Sequence, residues 1–515
     1  AGWRGPAAAS TVLALALACR PAGGQGNELS APTGGRSALM GRTGVALSRD
    51  GSAPFLNPAT IVRIDDSSLA FSVNFYTFAS TSFGGWHQPG PVDTSHFGNV
   101  ALNGTSVSTS GFRVIPSTLC LFFTIRGVTA QGSEGGLHRG RQKLALCFGT
   151  TEYDDVVLPA LSLEGKTSLG TTSQVQSITR AWSRFQAGPT YSITIADDVA
   201  IGVSLHGLYT SESFAIGGSS ITSVEGGGAV PSSLDAAGSA RAFDLAAIVG
   251  AAFHRGPWTF GASIQVPTAH VFGSYNATLR SQYDLAGIDT ANITSGSGNF
   301  SAPPPMRFAL GAGVETGRWV LELDESFQLP VAPIRTSLSG WTTGSDATVV
   351  PFSAAYAVQE HPVWNTGIGG EYFASKSFSL VGGASTSLSS LPSLSPAMSL
   401  GNLVQARSSS VSASLGVGSY GGGTDLLIGA QLGYAWGQSM AVNPYVLPND
   451  WAVVDTRSYS VMLILAGSTD LRAIARAVEK VENAVSNGNA ELSPPAHAPG
   501  PDKPPASREL PKSGE

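Results

Sequence analysis

Alternation of apolar and polar residues is the feature that most constrains how this chain can fold. Within residues 305–329, Met306, Phe308 and Leu310 alternate with polar or small residues, and after a short turn the alternation resumes at Trp319. A period of two is typical of a β-strand with one apolar face. Each arm has about ten residues, the length of a tilted strand that crosses a bilayer. This segment predicts a hairpin of either a soluble sandwich or a membrane barrel.

The recurrence of this pattern decides between the two folds. There are fourteen alternating runs, near residues 68–78, 113–126, 141–149, 182–195, 199–212, 241–254, 258–272, 305–315, 318–329, 362–373, 378–387, 409–419, 425–437 and 457–468. Tight turns alternate with long polar connections, near 79–110, 150–177, 213–240, 273–304, 330–354, 388–408 and 438–456. Only 127–140 is long where a short turn is expected. Outer-membrane barrels sort their connections in this way, with short periplasmic turns and long extracellular loops, whereas sandwiches do not.

The two faces of the predicted strands differ in charge. The large-aliphatic face is predicted to carry no Asp, Glu, Lys or Arg, whereas the other face carries Lys143, Arg184, Asp244, Arg307, Glu322, Asp324 and Glu371. A charge at mid-bilayer on the lipid side would cost about 2–4 kcal/mol. Aromatic residues such as Trp258, Trp319 and Phe378 follow short turns, as interfacial girdles do. We therefore expect an all-β fold: a transmembrane antiparallel β-barrel of about fourteen strands over residues 65–470.

Composition and motifs narrow the function. The net charge of −6 gives no reason to expect a nucleic-acid partner. No G-x-S-x-G or H-E-x-x-H motif occurs, and the eight histidines are scattered. We expect no catalytic residue, no metal site and no cofactor. Ser204 and His206 share a polar strand face and hint at a hydrolase, but a pair that merely lines the lumen is the favoured interpretation.

The two ends of the chain have a different composition. Residues 1–26 resemble an export signal, because Arg4 precedes an apolar run and small residues. Cys19 is either a lipidation site or is lost with that peptide. Residues 471–487 have helical spacing of apolar residues, which predicts a short amphipathic helix, and the Pro-rich tail 488–515 is expected to be disordered.

Cys120 and Cys147 lie in two alternating runs that flank the 127–140 connection. If these runs form a hairpin, the two cysteines fall opposite each other near its mid-height. An exported protein meets an oxidising compartment, so a cross-strand disulfide is one interpretation. Two buried thiols on neighbouring strands are the other.

The segment before the first strand carries a resemblance to a known family. Residues 35–50, GRSALMGRTGVALSRD, lead to 52–59, SAPFLNPA. This sequence is similar to the hatch of the FadL family of outer-membrane transporters for long-chain fatty acids and other hydrophobic compounds. The resemblance implies a fourteen-stranded barrel with an N-terminal hatch, here residues 27–64, in its lumen. It also implies ligand capture at extracellular loops and lateral exit through a gap in the wall.

Within the predicted hatch, Asn57, Pro58 and Ala59 form the candidate motif. Pro58 restricts its own φ and that of Asn57, so the pair predicts a rigid bend that the Asn57 amide can stabilise. Ala59 is small enough for the chain to pass close to the wall. The alternative is an ordinary Asn-Pro turn. The many small residues of 27–64 also predict that this segment lies inside the barrel, because it is too short to form its own core.

These observations lead to a functional expectation. We expect a protein of the Gram-negative outer membrane that transports hydrophobic molecules passively, with long-chain fatty acids implied by the resemblance. Candidate lumen contacts are Phe122 for an apolar chain and Arg184 or Arg307 for a carboxylate, although ion pairs of these arginines with Glu322 or Asp324 are an alternative. Surrounding lipid and lipopolysaccharide, and a monomeric state, are also expected. A non-specific porin or structural barrel is the second function, and an outer-membrane lipid hydrolase is the third.

Overall fold

A computed structural model describes residue 27 and residues 31–64, 67–87, 105–126, 139–167, 170–224, 228–285, 288–394, 407–421, 423–443 and 450–471. The predicted signal peptide with Cys19, most of the 127–140 connection, and the predicted helix and tail beyond Leu471 lie outside these residues. Among the described helices, none has the length and apolar character needed to cross a membrane.

Nineteen strands form one antiparallel sheet. Their bounds are β1 Ser68–His87, β2 Thr105–Arg126, β3 Gln142–Thr167, β4 Gly170–Ala196, β5 Val199–Val224, β6 Ala229–Arg255, β7 Trp258–Gln265, β8 Ala269–Leu285, β9 Ile288–Gly298, β10 Phe300–Ser301, β11 Met306–Glu315, β12 Trp319–Leu329, β13 Ile334–Thr343, β14 Val349–Val358, β15 Val363–Ser375, β16 Phe378–Ser387, β17 Arg407–Gly421, β18 Thr424–Asn443 and β19 Asp450–Asp470.

Fourteen of these strands close into a barrel, which confirms the predicted fold. The ring runs from β1 to β7, continues through β11, β12 and β15 to β19, and ends where β19 pairs with β1. Each strand of the ring overlaps one of the fourteen alternating runs, although the run 258–272 was predicted too long: β7 ends at Gln265 and the run extends into β8. The sequence pattern therefore placed every strand of the wall, because each one must present an apolar face outward and a different face inward.

The outward face of the wall is apolar and exposed. Leu310, Leu321 and Leu323 are 64, 47 and 45% exposed, as are many large side chains on other strands. The charged residues predicted for the opposite face are all buried inside the barrel.

The prediction of a charge-free outer face was wrong at three positions: Arg241 and Arg457 are exposed on the outer face of β6 and β19, and Glu325 lies on the same face of β12 as Leu323. Thr366 Oγ1 donates to the Glu325 carboxylate at 2.8 Å. Hydrogen bonds of this kind lower the cost of a carboxylate in an apolar setting.

The long connections were predicted to be polar loops, and this was wrong for several of them. Strands β3 and β4 stay paired as far as Thr167 and Gly170, and β5 and β6 as far as Ser223 and Ala229. Strands β8, β9, β10, β13 and β14 form further hairpins beyond the ring. In these connections Ser, Thr and Gly are frequent, so an alternation of apolar and polar residues is hard to recognise. The backbone hydrogen bonds between neighbouring strands form nevertheless, because they do not depend on the side chains.

Residues 31–64, the inner segment, lie inside the ring. They contain α1 Arg36–Leu39, α2 Ala53–Leu56 and a 3₁₀-helix, Pro58–Arg63. Most of their side chains are buried. Hydrogen bonds link the inner segment to strands on all sides, from β2 and β3 to β12 and β17. Contacts with opposite walls of a closed ring require this segment to occupy the lumen.

Candidate functional site

Two carboxylates of β12 hold the middle of the inner segment. The four backbone N–H groups of residues 44–47 donate to them with N···O distances of 2.7 to 2.9 Å. Asp324 accepts the first two hydrogen bonds and Glu322 accepts the other two. These N–H groups have no partner in a helix or sheet, so the carboxylates satisfy donors that would be costly to bury alone.

Glycines of the wall let the inner segment approach the strand backbone. A methyl group added at Gly261 of β7 would overlap the carbonyl of Val45, and one added at Gly250 of β6 would overlap Asn57 Oδ1. A strand glycine weakens the strand but permits such close approach. The wall backbone thus touches the inner segment directly, which leaves no space for a side chain between them at these points.

Asn57 links the inner segment to the wall. Its amide nitrogen donates to the carbonyl of Val45 at 2.7 Å and to that of Ala251 on β6 at 3.0 Å. Its side-chain oxygen accepts from Ala59 N at 3.1 Å and so caps the 3₁₀-helix that begins at Pro58. Asn57 is fully buried with φ −150° and ψ 103°, an extended conformation. Ala59 packs in a small apolar cluster with Val62, Ala200 and Ala252.

Ion pairs hold the inner segment at two further points. Arg36 Nε lies 2.7 Å from Glu371 on β15, and this carboxylate also accepts from Ser379 Oγ at 2.6 Å. Arg49 and Arg63 both pair with Glu315 at the end of β11. Glu371 and the Arg63 side chain are buried, so these charges require their partners.

The wall is incomplete between β2 and β3. These strands pair from Arg126 and Gln142 up to Thr118 and Gly149. Beyond that point, over the described lengths of both strands, β2 pairs with β1 and β3 pairs with β4. An opening in a membrane barrel is tolerated where protein or a cavity satisfies the exposed backbone groups.

The first residues of the inner segment lie across the start of this gap. Ala31 N donates to the carbonyl of Thr151 on β3 at 3.2 Å. The carbonyl of Pro32 accepts from Ser117 Oγ on β2 and from Asn74 Nδ2 on β1, the latter at 3.1 Å. The two strand edges that part from each other are therefore both hydrogen-bonded to the same two residues.

Cys120 and Cys147 face each other in register just below the gap. A disulfide joins them, with a Cα–Cα distance of 4.2 Å. The bond lies on the buried face beside Phe55 of the inner segment. It covalently connects β2 and β3 two register pairs below the point at which they separate.

Each predicted lumen contact already touches protein. Phe122 is fully buried in the cluster that contains Phe55. Arg184 pairs with Glu152, which corrects the alternative that placed it with Glu322 or Asp324, and its other nitrogens donate to Thr210 Oγ1 at 3.1 Å and to a backbone carbonyl. Arg307 Nη2 donates to the carbonyl of Phe55 at 2.6 Å.

Of these three residues, Arg307 lines a cavity. The cavity has a volume of about 80 Å³ and lies between the inner segment and strands β11, β12, β15 and β16. Arg42, Gln328 and Thr366 also line it. The volume suits several water molecules or one small polar group, because a single water needs about 10–15 Å³ in this measure. This cavity can hold a polar head group but not a long apolar chain.

An apolar cluster lies on the long-connection side of the barrel. It contains Trp182, Phe214 and Tyr275 from β4, β5 and β8, together with Phe300, Leu338, Phe352, Leu391 and Leu394. Most of these residues come from connections that were predicted to be polar. The available signal was a weak alternation, for example at Ile334, Thr336 and Leu338, which the length of the connections obscured.

Ser204 and His206 do not form a nucleophile and base. Ser204 Oγ donates to the carbonyl of Pro54 at 2.8 Å and contacts Thr190 Oγ1. The His206 ring stacks against Phe55 with a centroid distance of 5.0 Å, and neither of its nitrogens has a hydrogen-bond partner among the described residues. A serine hydrolase needs a hydrogen bond between these two groups. Their positions instead fit the lumen-lining interpretation.

Comparisons with known proteins give similarity in structure. A scan against protein-family models finds no match, and a search of curated proteins finds none. A FadL homologue from Pseudomonas aeruginosa is similar with a TM-score of 0.52 at 14% identity, over 86% of this chain and 99% of that one. The CymD monoaromatic hydrocarbon channel gives 0.50 at 12% identity, over 85% and 97%. A TodX deltaS2S3 mutant monoaromatic hydrocarbon channel gives 0.52 at 14%, over 85% and 99%.

At such low identity the likeness concerns the fold. It extends over almost the whole length of each solved chain and over the barrel of this one. The resemblance noted at residues 35–59 predicted the same architecture. This chain therefore has the fold of the FadL family.

Proposed function

We propose that this protein is an outer-membrane channel through which hydrophobic small molecules diffuse passively, with residues 31–64 as its hatch. The observation that carries this proposal is the gap between β2 and β3. It begins at the level at which the inner segment fills the lumen. A solute that enters from the long-connection side meets the inner segment below it and an opening beside it. A lateral path into the bilayer suits a molecule that prefers lipid to water.

The apolar cluster around Trp182 and Phe300 supports capture of such a solute on the long-connection side. In the proposed path, the solute leaves water for this apolar region and then moves through the gap beside Pro32. Asn57, Pro58 and Ala59 act in this proposal as the anchor that keeps the hatch in place. A non-specific porin would need a water-filled lumen instead, and the inner segment occupies that space.

Long-chain fatty acids are the substrate we propose within this class. Arg307 and Arg42 are the cations that line the small cavity in which a carboxylate head group would be held, whereas Arg184 lies outside this cavity and pairs with Glu152. The solved hydrocarbon channels carry monoaromatic compounds according to their names, so toluene is the natural competitor.

Uptake by cells tests the proposal. A strain that lacks this protein should lose uptake of labelled oleate and regain it on complementation, whereas uptake of a labelled disaccharide should not change. Loss of both in proportion to solute size would instead indicate a porin. Uptake of toluene without oleate would retain the channel but replace the substrate. Arg307→Met, compared with Lys376→Met at an exposed turn, tests whether the cavity cation matters for oleate alone.

A further inference from the structure

A groove of about 480 Å³ crosses the outward face of β6, β7, β11 and β12. Small residues form its floor and larger apolar ones form its sides: Ala251, Ala262 and Ala312, with Phe253, Phe260 and Leu310. The one acidic residue of the lining, Glu325, lies at the end away from the short turns, six residues after Trp319 on β12. The register explains this shape, because Ala251 lies opposite Ala262 and Ala312 lies opposite Phe260. The volume falls within the range of small-molecule pockets, about 300–1,000 Å³.

The groove lies at the short-turn end of the barrel. Phe253 is two residues from the end of β6, and Trp258 and Trp319, which begin β7 and β12, are 50 and 51% exposed. Exposed tryptophans next to the turns mark the level of the membrane interface. Short turns of such barrels face the periplasm. The groove therefore extends from the periplasmic interface toward the bilayer centre, in the leaflet that glycerophospholipids form.

Positive charge borders the interfacial end of the groove. Arg255 follows Phe253 on the outward face of β6 and is exposed in the β6–β7 turn. Arg318 is exposed in the β11–β12 turn, directly before Trp319. Neither arginine forms an ion pair within the part of the chain that the structure describes. A guanidinium at this level matches the phosphate of a lipid head group, which it binds through paired N–H donors.

We propose that this groove binds one glycerophospholipid, with an acyl chain against the three alanines and the phosphate between Arg255 and Arg318. The apolar trough and the two cations lie in the order in which a phospholipid presents its chain and its head group. Asp197 and Asp198 of the β4–β5 turn precede Val199 at one edge of the groove and carry the opposite charge, so the phosphate is placed on the side of Arg255 and Arg318. This site is separate from the lumen and does not depend on the substrate of the channel.

Native mass spectrometry of the full-length protein in detergent tests this site with dioleoylphosphatidylglycerol as the probe. The double variant Arg255→Ala and Arg318→Ala should weaken retention of one lipid by about thirty-fold, because each basic residue at a membrane surface contributes about 1 kcal/mol. Ala262→Leu with Ala312→Leu should weaken it by at least about tenfold by filling the groove with apolar side chains that the bilayer tolerates. Lys376→Ala, which alters the next basic turn along the barrel, should leave retention unchanged.

Other occupants give different results. If dioleoylglycerol, which has the same chains without phosphate, binds as tightly as the phospholipid, the groove takes a neutral solute and the proposal is wrong. A dimer that Ala262→Leu with Ala312→Leu disrupts would identify a second copy of the chain as the occupant. If the filled-groove variant does not fold, as judged by heat-modifiable migration, the arginine variants alone decide: retention equal to that of wild type overturns the site.

Discussion

Strands β11, β12 and β15 hold the inner segment differently from strands β1, β2 and β3. On the first side, the anchored side, buried carboxylates bind its middle: Glu322 and Asp324 accept four backbone N–H groups, and Glu315 and Glu371 pair with arginines. On the second side, the gap side, only neutral hydrogen bonds hold its first two residues.

The difference indicates which part of the inner segment is able to move. Hydrogen bonds to charged groups contribute about 1.5–3 kcal/mol each, roughly twice the contribution of neutral ones. The middle of the segment should therefore stay in place while its first residues open. In the proposed function this movement uncovers the gap between β2 and β3 without emptying the lumen, so a lateral path opens while an aqueous pore does not.

The largest expected effect comes from removing the inner segment itself, and with it its contacts on both the anchored side and the gap side. Deletion of residues 31–64 should leave a folded barrel whose ion conductance in planar bilayers rises by about tenfold or more, since a ring of fourteen strands is wide enough for an aqueous channel once emptied. Heat-modifiable gel migration confirms folding of the variant. Conductance equal to that of the wild type would refute the role of this segment as a plug.

Breaking the anchored side alone should have the next largest effect. Glu322→Ala with Asp324→Ala leaves four buried N–H groups unsatisfied, at a cost of at least about 4 kcal/mol to the free energy of opening the inner segment. Hydrogen exchange should then accelerate at residues 44–47, and conductance should rise toward that of the deletion. Glu325→Ala, which removes a neighbouring carboxylate on the outward face, is the matched control.

Retention of slow exchange at residues 44–47 in the double variant would show that the wall glycines, rather than the carboxylates, hold this region. The charged pairs would then be of little consequence for the hatch. Close packing against the wall backbone would then be the only difference between the anchored side and the gap side.

Asn57→Ala tests a single anchor and should have a smaller effect. It removes three hydrogen bonds, to Val45, Ala251 and Ala59, worth about 2–3 kcal/mol together. We expect normal assembly but altered uptake of labelled oleate at equal surface amounts. Asn57→Asp keeps the acceptor for Ala59 and loses the donor, so it separates the cap from the link to β6. Equal uptake by all three proteins would contradict the anchoring role.

The sequence revealed the wall far better than the interior. Alternation identified each strand of the ring because lipid outside and a different environment inside impose a period of two. The position of Glu325 on the outward face was not predicted, because its hydrogen-bond partners Trp364 and Thr366 come from another strand. The acceptors of the inner segment were equally hidden: Glu322 and Asp324 appear in the sequence only as lumen charges, since their partners lie about 280 residues away in the chain.

The gap between β2 and β3 had no sequence signal of its own. The alternation of β2 continues past Thr118, but the alternating run of β3 ends at Gly149, and its end predicted a loop where β3 in fact continues beside β4. The break itself concerns which neighbour each strand pairs with. Strand pairing depends on register and curvature, which a single alternating run does not record. The Asn57 bend, by contrast, was predictable in form, because proline geometry and the local hydrogen bonds of asparagine are properties of adjacent residues.

The smallest expected effect provides the most direct comparison of the two sides. Ser117 on the gap side and Ser414 on β17 each donate one side-chain hydrogen bond to a carbonyl of the inner segment, that of Pro32 and that of Leu39. Both serines are buried, so their replacement by alanine removes a neutral hydrogen bond worth about 1 kcal/mol in either place.

If only the first residues of the inner segment move, Ser117→Ala favours the open gap by about fivefold and raises oleate uptake by up to that factor. Ser414→Ala weakens a region that the carboxylates still hold, so its uptake should equal that of the wild type. Equal increases in the two variants would mean that the segment moves as one body, and an increase in Ser414→Ala alone would place the moving part on the opposite side.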